Sequence, residues 1–420
     1  MKKLNVYIEG RFRGELTQSD FGNLEFAYVD GDRSLTPLSL SMREVETVYR
    51  KRTVLPFLQG LFPDHPGALA AFARLVGANS VQPFALLEKT GIEVAGAVEF
   101  FPDENNGVSE GFTTSPLSHE QIGRQLEEVL AVYADQNQNF FSFPRLSLAG
   151  AQPKIALHRM PDGTWAVPTR DLASTHIVKP VTQTLRDIDV IEFLTMTAAR
   201  TVGLEVANSE LVEFDNVRCF VSQRFDRQFR DGSLKRVHQE DFCQSLSVHP
   251  NKKYQMDGGP GVSAVKRIAQ EILNVDQRTA LLQRFFRAFV FNSLAGCSDA
   301  HAKNYSLLLD RENVRLTPLY DLSTTLAFPF IQQVSAMSVN SKWRFDSFRL
   351  KDFLVEGVRM GLEADFCTSV VRETESNIVQ AFEQAAVEMA RYELSGESAK
   401  MVSQAVQAVT DLRRNSPLEP

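Results

Sequence analysis

Cys297-Ser-Asp-Ala-His-Ala-Lys-Asn304, followed by Pro318-Leu-Tyr-Asp321, is the stretch on which the reading of this chain turns. Asp299 stands five positions ahead of Asn304, and a second acid, Asp321, follows a short predicted hairpin. One turn of loop can then aim a carboxylate at an attacking hydroxyl and a carboxamide oxygen at a hard cation, which prefers oxygen ligands. The later aspartate completes such a cation site from the next element. A polar loop closed by an Asx turn would account for any one of the three. Three together, flanking a hairpin, point to phosphoryl transfer, in the order and spacing that protein kinases use.

On this reading Asp299 is the base that accepts the substrate's hydroxyl proton, and Asn304 and Asp321 hold magnesium against nucleotide phosphates. Asp321 opens Asp-Leu-Ser, so the metal-binding acid is present without the Phe-Gly that usually follows it. His301 and Lys303 lie two and four residues after Asp299, and either cation could neutralise charge on the transferred group. Lys179 sits in the apolar run His176-Ile-Val-Lys-Pro180, where a lysine is costly unless its charge is partnered. Glu192, on the predicted helix that follows, is the candidate partner, in the manner of the kinase Lys–Glu pair. A sheet-edge lysine guarding against aggregation is the plainer reading of Lys179. Ser147-Leu-Ala-Gly-Ala-Gln-Pro-Lys154 occupies the place of a phosphate-covering loop but has one glycine and no Walker pattern. Asp257-Gly-Gly-Pro-Gly261 reads best as a tight turn opening a helix.

Working outward, 420 residues allow about two or three domains. Hydrophobic content of 43% and charged content of 23% are those of an ordinary globular chain. A net charge of −7 argues against a broad basic nucleic-acid face. The four cysteines form no CxxC pair, which fits a reduced cytoplasmic protein better than a disulfide scaffold or zinc site. The N-terminus alternates like a strand and has no apolar signal core. The most apolar stretch, 285–296, carries Arg287 and Asn292 and is too short to span a bilayer.

Periodicity gives short strands over 1–30, helices on both sides of Pro63 and Pro66, and a strand over 92–101. Ser118-His-Glu-Gln121 has capping-box form and opens a helix to about 133. A hairpin turns at Asp162-Gly163, a strand covers 176–180, a helix covers 188–202, and a strand pair turns at Asp215-Asn216. Beyond Gln239 the chain is mostly helical. Its longest helix is expected over 277–295, with a single later hairpin between the two key aspartates. The expected fold is α+β and two-lobed, like a protein kinase, with a strand-rich first lobe and a helical second lobe. The expected divisions are an N-terminal α+β subdomain over 1–107, the first lobe over 108–238 and the second over 239–420.

With those residues in place, the chain resembles the HipA family of serine/threonine kinase toxins. The resemblance rests on Ser147-Leu-Ala-Gly-Ala-Gln-Pro-Lys154, His176-Ile-Val-Lys-Pro180, Arg224-Phe-Asp-Arg227, Gln239-Glu-Asp-Phe-Cys-Gln244, Asp257-Gly-Gly-Pro-Gly261, Asp299-Ala-His-Ala-Lys-Asn304 and Leu316-Thr-Pro-Leu-Tyr-Asp321, in family order. It implies an ATP- and magnesium-dependent protein kinase paired with a small helix-turn-helix antitoxin of the HipB kind, which binds operator DNA. It implies arrest of translation through phosphorylation of an aminoacyl-tRNA synthetase, with dormancy as the result. It implies that Ser147 is autophosphorylated, which silences the enzyme; added negative charge beside bound phosphates would repel them. Carried over, the nucleotide set is Ser147, Ala149, Gly150, Ala151, Gln152, Lys154, Lys179, Glu192, Gln223, Phe225, Asn304, Tyr320 and Asp321. Gln223 and Phe225 fall on the adenine side, with Gln223 where the family more often has glutamate. Two other readings stay open: a small-molecule kinase, and a non-catalytic corepressor that strengthens an antitoxin's grip on DNA.

Overall fold

Leu4, Val6 and Ile8 alternate with polar neighbours, and all three are buried, so the first strand can only lie with one face on a core. It pairs with Arg11–Gln18 through a tight turn in which Glu9 and Gly10 both take positive φ. Leu24–Tyr28 and Tyr49–Arg50 extend one side of this antiparallel sheet and Val98–Pro102 the other. Helix Lys51–Gly60 covers it, and Phe26, Phe57, Phe84 and Phe100 form much of the core. The computed structural model describes the chain except for residues 30, 33, 44–46, 92, 103–115, 135–151, 170, 183–185, 231, 312 and 420. The expected division at 107 lies outside the described residues.

The chain forms two compact units. One comprises Met1–Thr182, Val212–Asn251 and Leu307–Val314; the other comprises Gln183–Leu211, Lys252–Ser306 and Arg315–Pro420. In the first, a six-stranded sheet runs Ser209–Phe214, Val217–Gln223, His176–Pro180, Ile155–Arg159, Trp165–Ala166 and Pro116–Leu117. Asp215 and Asn216 both adopt positive φ, as a two-residue turn between right-twisted strands requires. Helix His119–Ala134 lays Ile122, Leu126 and Val129 on this sheet. Its capping box is present: Gln121 N donates to Ser118 Oγ (3.2 Å) and Ser118 N to Gln121 Oε1 (2.8 Å).

The second unit is helical. Helix Ala364–Met389 packs on Ile188–Thr201, Val275–Ala295, Leu350–Met360 and Gly396–Asn415. Phe291 stacks on Phe382 with ring centroids 6.5 Å apart. Three expectations need correction. The longest helix is Ala364–Met389, of 26 residues, and not Val275–Ala295, of 21. A further hairpin, Val334–Val339 with Lys342–Arg344, follows the expected one and turns at Asn340-Ser341. The strand expected from residue 92 begins only at Val98, because Glu93 is drawn into a buried ionic cluster and Gly96 turns the chain with φ +80°.

Candidate active site

Helix Val275–Ala295 ends at Gly296, whose φ of +72° suits glycine and where an added Cβ would lie 2.4 Å from Leu326 Cγ. Only a residue without a side chain lets the chain turn directly into Cys297-Ser298-Asp299. The Asp299 carbonyl then becomes the hub of the loop. It accepts from His301 N at 2.8 Å and from Asn304 Nδ2 at 2.7 Å, while Asn304 N donates to the His301 carbonyl at 2.9 Å. A short 3₁₀ turn over Ala302–Asn304 results, tied by Ala302 N to the Lys253 carbonyl.

Within this loop His301, Lys303 and Asn304 are buried, whereas the Asp299 side chain is 60% exposed. The Asp299 carboxylate is therefore the group of this loop that reaches solvent. Tyr254 holds it: the phenol donates to Asp299 Oδ1, and its ring meets the His301 ring edge-on at 4.8 Å. His301 Nε2 stands 3.6 Å from the same carboxylate oxygen. Tyr254 was not singled out by the sequence, since it lies 45 residues before Asp299 and a half-buried tyrosine carries no spacing signal.

The other aspartate is brought in by a separate set of bonds. Leu319 N donates to the Glu205 carbonyl (2.8 Å) and Ala207 N to the Leu319 carbonyl (2.9 Å), a one-residue parallel bridge that fixes the approach to Asp321. The Tyr320 hydroxyl reaches the Lys303 carbonyl at 2.8 Å and also bonds Ser306 Oγ. Tyr320 thus straps the Asp321 segment to the base loop. Asp321 is half-buried with φ +52°, a left-handed conformation that this bonding must hold in place. Because Asn304 commits its amide nitrogen to the Asp299 carbonyl, its Oδ1 is left as the acceptor. A carboxamide oxygen and an aspartate carboxylate are oxygen donors, the kind that a hard divalent cation takes. Among the described residues no group of three or more His, Cys, Asp and Glu side chains is placed to hold a metal ion.

Lys179 is buried in the first unit, on a strand flanked on both sides by Val217–Gln223 and Ile155–Arg159. The sheet-edge reading of this lysine is thereby overturned. Its ammonium lies over the Phe220 ring, 5.3 Å from the centroid. Glu192 is buried on helix Ile188–Thr201 of the second unit. In the first unit Gln223 ends its strand exposed, Phe225 is half-buried, and Gln152 and Lys154 are half-buried just before Ile155–Arg159. Ser147, Ala149, Gly150 and Ala151 lie outside the described residues.

Two of the seven phrases have a structural task that the sequence did not reveal. In Arg224-Phe-Asp-Arg227, Arg224 forks onto Asp226 (2.9 and 2.7 Å) and reaches Glu93 at 3.0 Å; Arg227 and Arg236 also bond Glu93, each at 2.8 Å. Burial pushes the Glu93 carboxyl up, and the three guanidiniums outweigh it and hold it below the usual value. In Gln239-Glu-Asp-Phe-Cys-Gln244, Asp241 and Gln244 close a capping box, and Gln244 Nε2 bonds the Phe57 carbonyl at 2.9 Å. Glu240 accepts from Ser39 Oγ and from Leu40 N, and burial raises its carboxyl to about 7. Both phrases clamp the first hundred residues to the rest of their unit.

Comparison with known proteins agrees with this architecture. A sequence model of the HipA-like C-terminal domain matches residues 146–382, and one of the HipA N-terminal domain matches 4–101. Y4mE of Sinorhizobium fredii, named as a kinase, is 34% identical over 351 residues, covering 81% of this chain and 82% of its own. The serine/threonine-protein kinase toxin HipA of Shewanella oneidensis is 29% identical over 297 residues, covering 68% of this chain and 66% of that protein. A solved structure of Shewanella oneidensis HipA with HipB and operator DNA superposes with a TM-score of 0.83 at 24% identity, covering 98% of this chain and 97% of that one. That likeness establishes the two-lobed, kinase-like α+β fold.

Proposed function

The chain belongs to the HipA family of kinase toxins, and from that premise we propose that it is an ATP- and magnesium-dependent serine/threonine protein kinase. The observation that carries the reading is the built loop around Asp299: an exposed carboxylate held by Tyr254, with Asn304 pinned to the Asp299 backbone and Tyr320 tying the Asp321 segment to Lys303. Asp299 takes the proton of the serine or threonine hydroxyl. The hydroxyl oxygen bonds to the γ-phosphorus as the bond to the β–γ bridging oxygen breaks, and ADP leaves. Asn304 Oδ1 and Asp321 are the groups that would hold magnesium, which when bound offsets charge on the phosphate oxygens. Lys179, with Glu192 as its partner, orients the α- and β-phosphates. Lys303 and His301 support charge on the transferred group, and Gln152, Lys154, Gln223, Phe225 and Tyr320 complete the nucleotide contacts.

In this reading the chain is the toxin of a two-component module. Its antitoxin is a HipB-like helix-turn-helix protein, through which it meets operator DNA, and its substrate is an aminoacyl-tRNA synthetase, glutamyl-tRNA synthetase as in the family. Autophosphorylation at Ser147 silences it. No helix of the described residues is long and apolar enough to cross a membrane, which is compatible with action in the cytoplasm. The test is phosphate incorporation from labelled Mg-ATP into the purified chain, mapped to Ser147. Asp299→Ala and Asp321→Ala should abolish it; undiminished labelling in both variants would refute the assignment.

A further inference from the structure

Thr195 stands three residues after Glu192 on helix Ile188–Thr201, which puts the two side chains on one side of the helix. Its hydroxyl donates to the Ile191 carbonyl at 2.7 Å, which commits the proton within the helix. The oxygen is then an acceptor, and it receives the backbone N–H of Thr324 at 3.0 Å. Thr324 stands three residues after Asp321. Its own hydroxyl donates at 2.6 Å to the Ala295 carbonyl, one of the terminal carbonyls that helix Val275–Ala295 cannot satisfy from within. Both threonines are fully buried, and every residue of this junction belongs to the second unit.

The bonding continues into the base loop. Thr325 N and Oγ1 both donate to the Gly296 carbonyl, at 2.9 and 3.0 Å, and Oγ1 shares a 2.7 Å bond with Ser298 Oγ, next to Asp299. Helix Ile188–Thr201 is held from other elements too: Ser398 Oγ donates to Asp187 Oδ1 at 2.6 Å, and Tyr392 meets Phe193 edge-on at 5.2 Å. Thr324 is thus the point where hydrogen bonds join the helix bearing Glu192, the segment bearing Asp321 and the end of the helix that leads to Asp299. Burial makes the junction exacting. A valine at 195 has nearly the same shape but offers no acceptor, and a buried N–H left without one loses its full hydration energy.

We infer that Thr195 is a positioning residue for the magnesium site: by accepting the Thr324 N–H it fixes the Asp321 segment on the helix that bears Glu192. This rests on the kinase reading above and deepens it. The test is calorimetric titration of a non-hydrolysable ATP analogue into the full chain, once with magnesium and once with EDTA. The measured quantity is the ratio of the two dissociation constants, which does not depend on how much of the sample is folded. The native chain should bind more tightly with magnesium, and Thr195→Val should reduce that gain about tenfold. Thr195→Ser keeps the hydroxyl and should stay within about twofold of the native ratio. Thr201→Val removes a comparable bond, to the Thr197 carbonyl at 3.0 Å in the same helix, and should leave the ratio unchanged. Thr195→Ala, which also lacks the acceptor and adds no bulk, carries the same expectation as valine if the valine variant does not fold. A native ratio in the variants without the acceptor, or an equal fall in Thr195→Ser or Thr201→Val, would overturn the positioning role while leaving magnesium-dependent nucleotide binding intact. A native chain that binds nucleotide equally well in EDTA, or not at all, would instead overturn the assignment of Asn304 and Asp321, and this inference with it.

Discussion

The Tyr254 phenol donates to the carboxylate of Asp299 and, through the same ring, walls the buried imidazole of His301. One side chain thus sets the rotamer of the proposed base and packs against the imidazole beside it. A hydrogen bond to a charged group is worth about 1.5–3 kcal/mol, enough to matter in a barrier. Tyr254→Phe keeps the ring and removes the bond. Self-phosphorylation at saturating ATP should slow about tenfold, with little change in the KM for ATP. An unaltered maximal rate would remove Tyr254 from the positioning scheme.

Gly259 donates its N–H to the Tyr254 carbonyl at 3.0 Å, and a Cβ there would fall 1.8 Å from the Lys252 carbonyl oxygen. Gly259→Ala should therefore displace the turn that carries Tyr254, lowering Tm and reproducing the slow phenotype of Tyr254→Phe. Gly258, by contrast, has φ +82° with open space around its missing Cβ. Asparagine tolerates that conformation, so Gly258→Asn should be nearly silent in both assays. If the two glycines respond alike, steric contact is not the cause.

Asn304→Ala removes the proposed cation ligand and the 2.7 Å bond to the Asp299 carbonyl together. Phosphate transfer should disappear, and stability should fall by about 1 kcal/mol from the lost loop bond. Asn304→Asp separates the two effects by keeping an oxygen ligand while losing the donor. It should retain measurable magnesium-dependent nucleotide binding in a calorimetric titration, with the same loss of Tm as the alanine variant.

Glu93 is the shared acid of Arg224, Arg227 and Arg236. Glu93→Ala would take one carboxylate partner from Arg224, Arg227 and Arg236, the first two of which keep Asp226, and removing one partner of a buried pair costs about 3–5 kcal/mol. Urea denaturation should show a midpoint lowered accordingly, or soluble protein should be lost. A midpoint within experimental error of the native chain would mean that the cluster is dispensable.

Glu240 supplies a pH signature. Its carboxyl sits at about 7 in the folded chain against 4.5 as its ordinary value, so the folded state keeps a proton that the unfolded chain releases between those limits. Stability from this group is complete below pH 4.5 and is lost as pH climbs toward 7, on the order of 3 kcal/mol in all. His238 runs the other way: burial lowers it to about 4, so its contribution is present above 6.5 and lost on acidification. The two oppose each other in the native profile, and only a difference isolates either. Glu240→Gln retains an oxygen for Leu40 N and a donor for Ser39 Oγ. Relative to this variant, the native chain should lose stability from pH 5 to 7.5 in paired urea titrations.

Local chemistry made much of this molecule readable in advance. Leu4, Val6 and Ile8 announce a half-buried strand, Ser118 and Gln121 a capping box, and Asp215-Asn216 a two-residue turn, because each signal lies within a few residues of its effect. The bond that joins Asn304 to Asp299 across five residues is local in the same sense. Arg224 and Glu93, however, meet across 131 residues and Gln244 and Phe57 across 187, and no periodicity encodes a partner at that distance. The hairpin at Asn340-Ser341 was missed because the pair lacks the glycine that marks such turns. Tyr254 escaped notice because a tyrosine's role depends on what faces its hydroxyl.

The clamp formed by Glu93, Ser39 and Phe57 on Arg224, Glu240 and Gln244 has a consequence for how this gene product can be divided. The opening hundred residues act as an intramolecular counter-ion and scaffold, so a shortened version starting after residue 115 would lose the carboxylate that three arginines share and the carbonyl that Gln244 bonds. Splitting the protein into two polypeptides should thus yield halves that are insoluble alone and recover only when co-expressed.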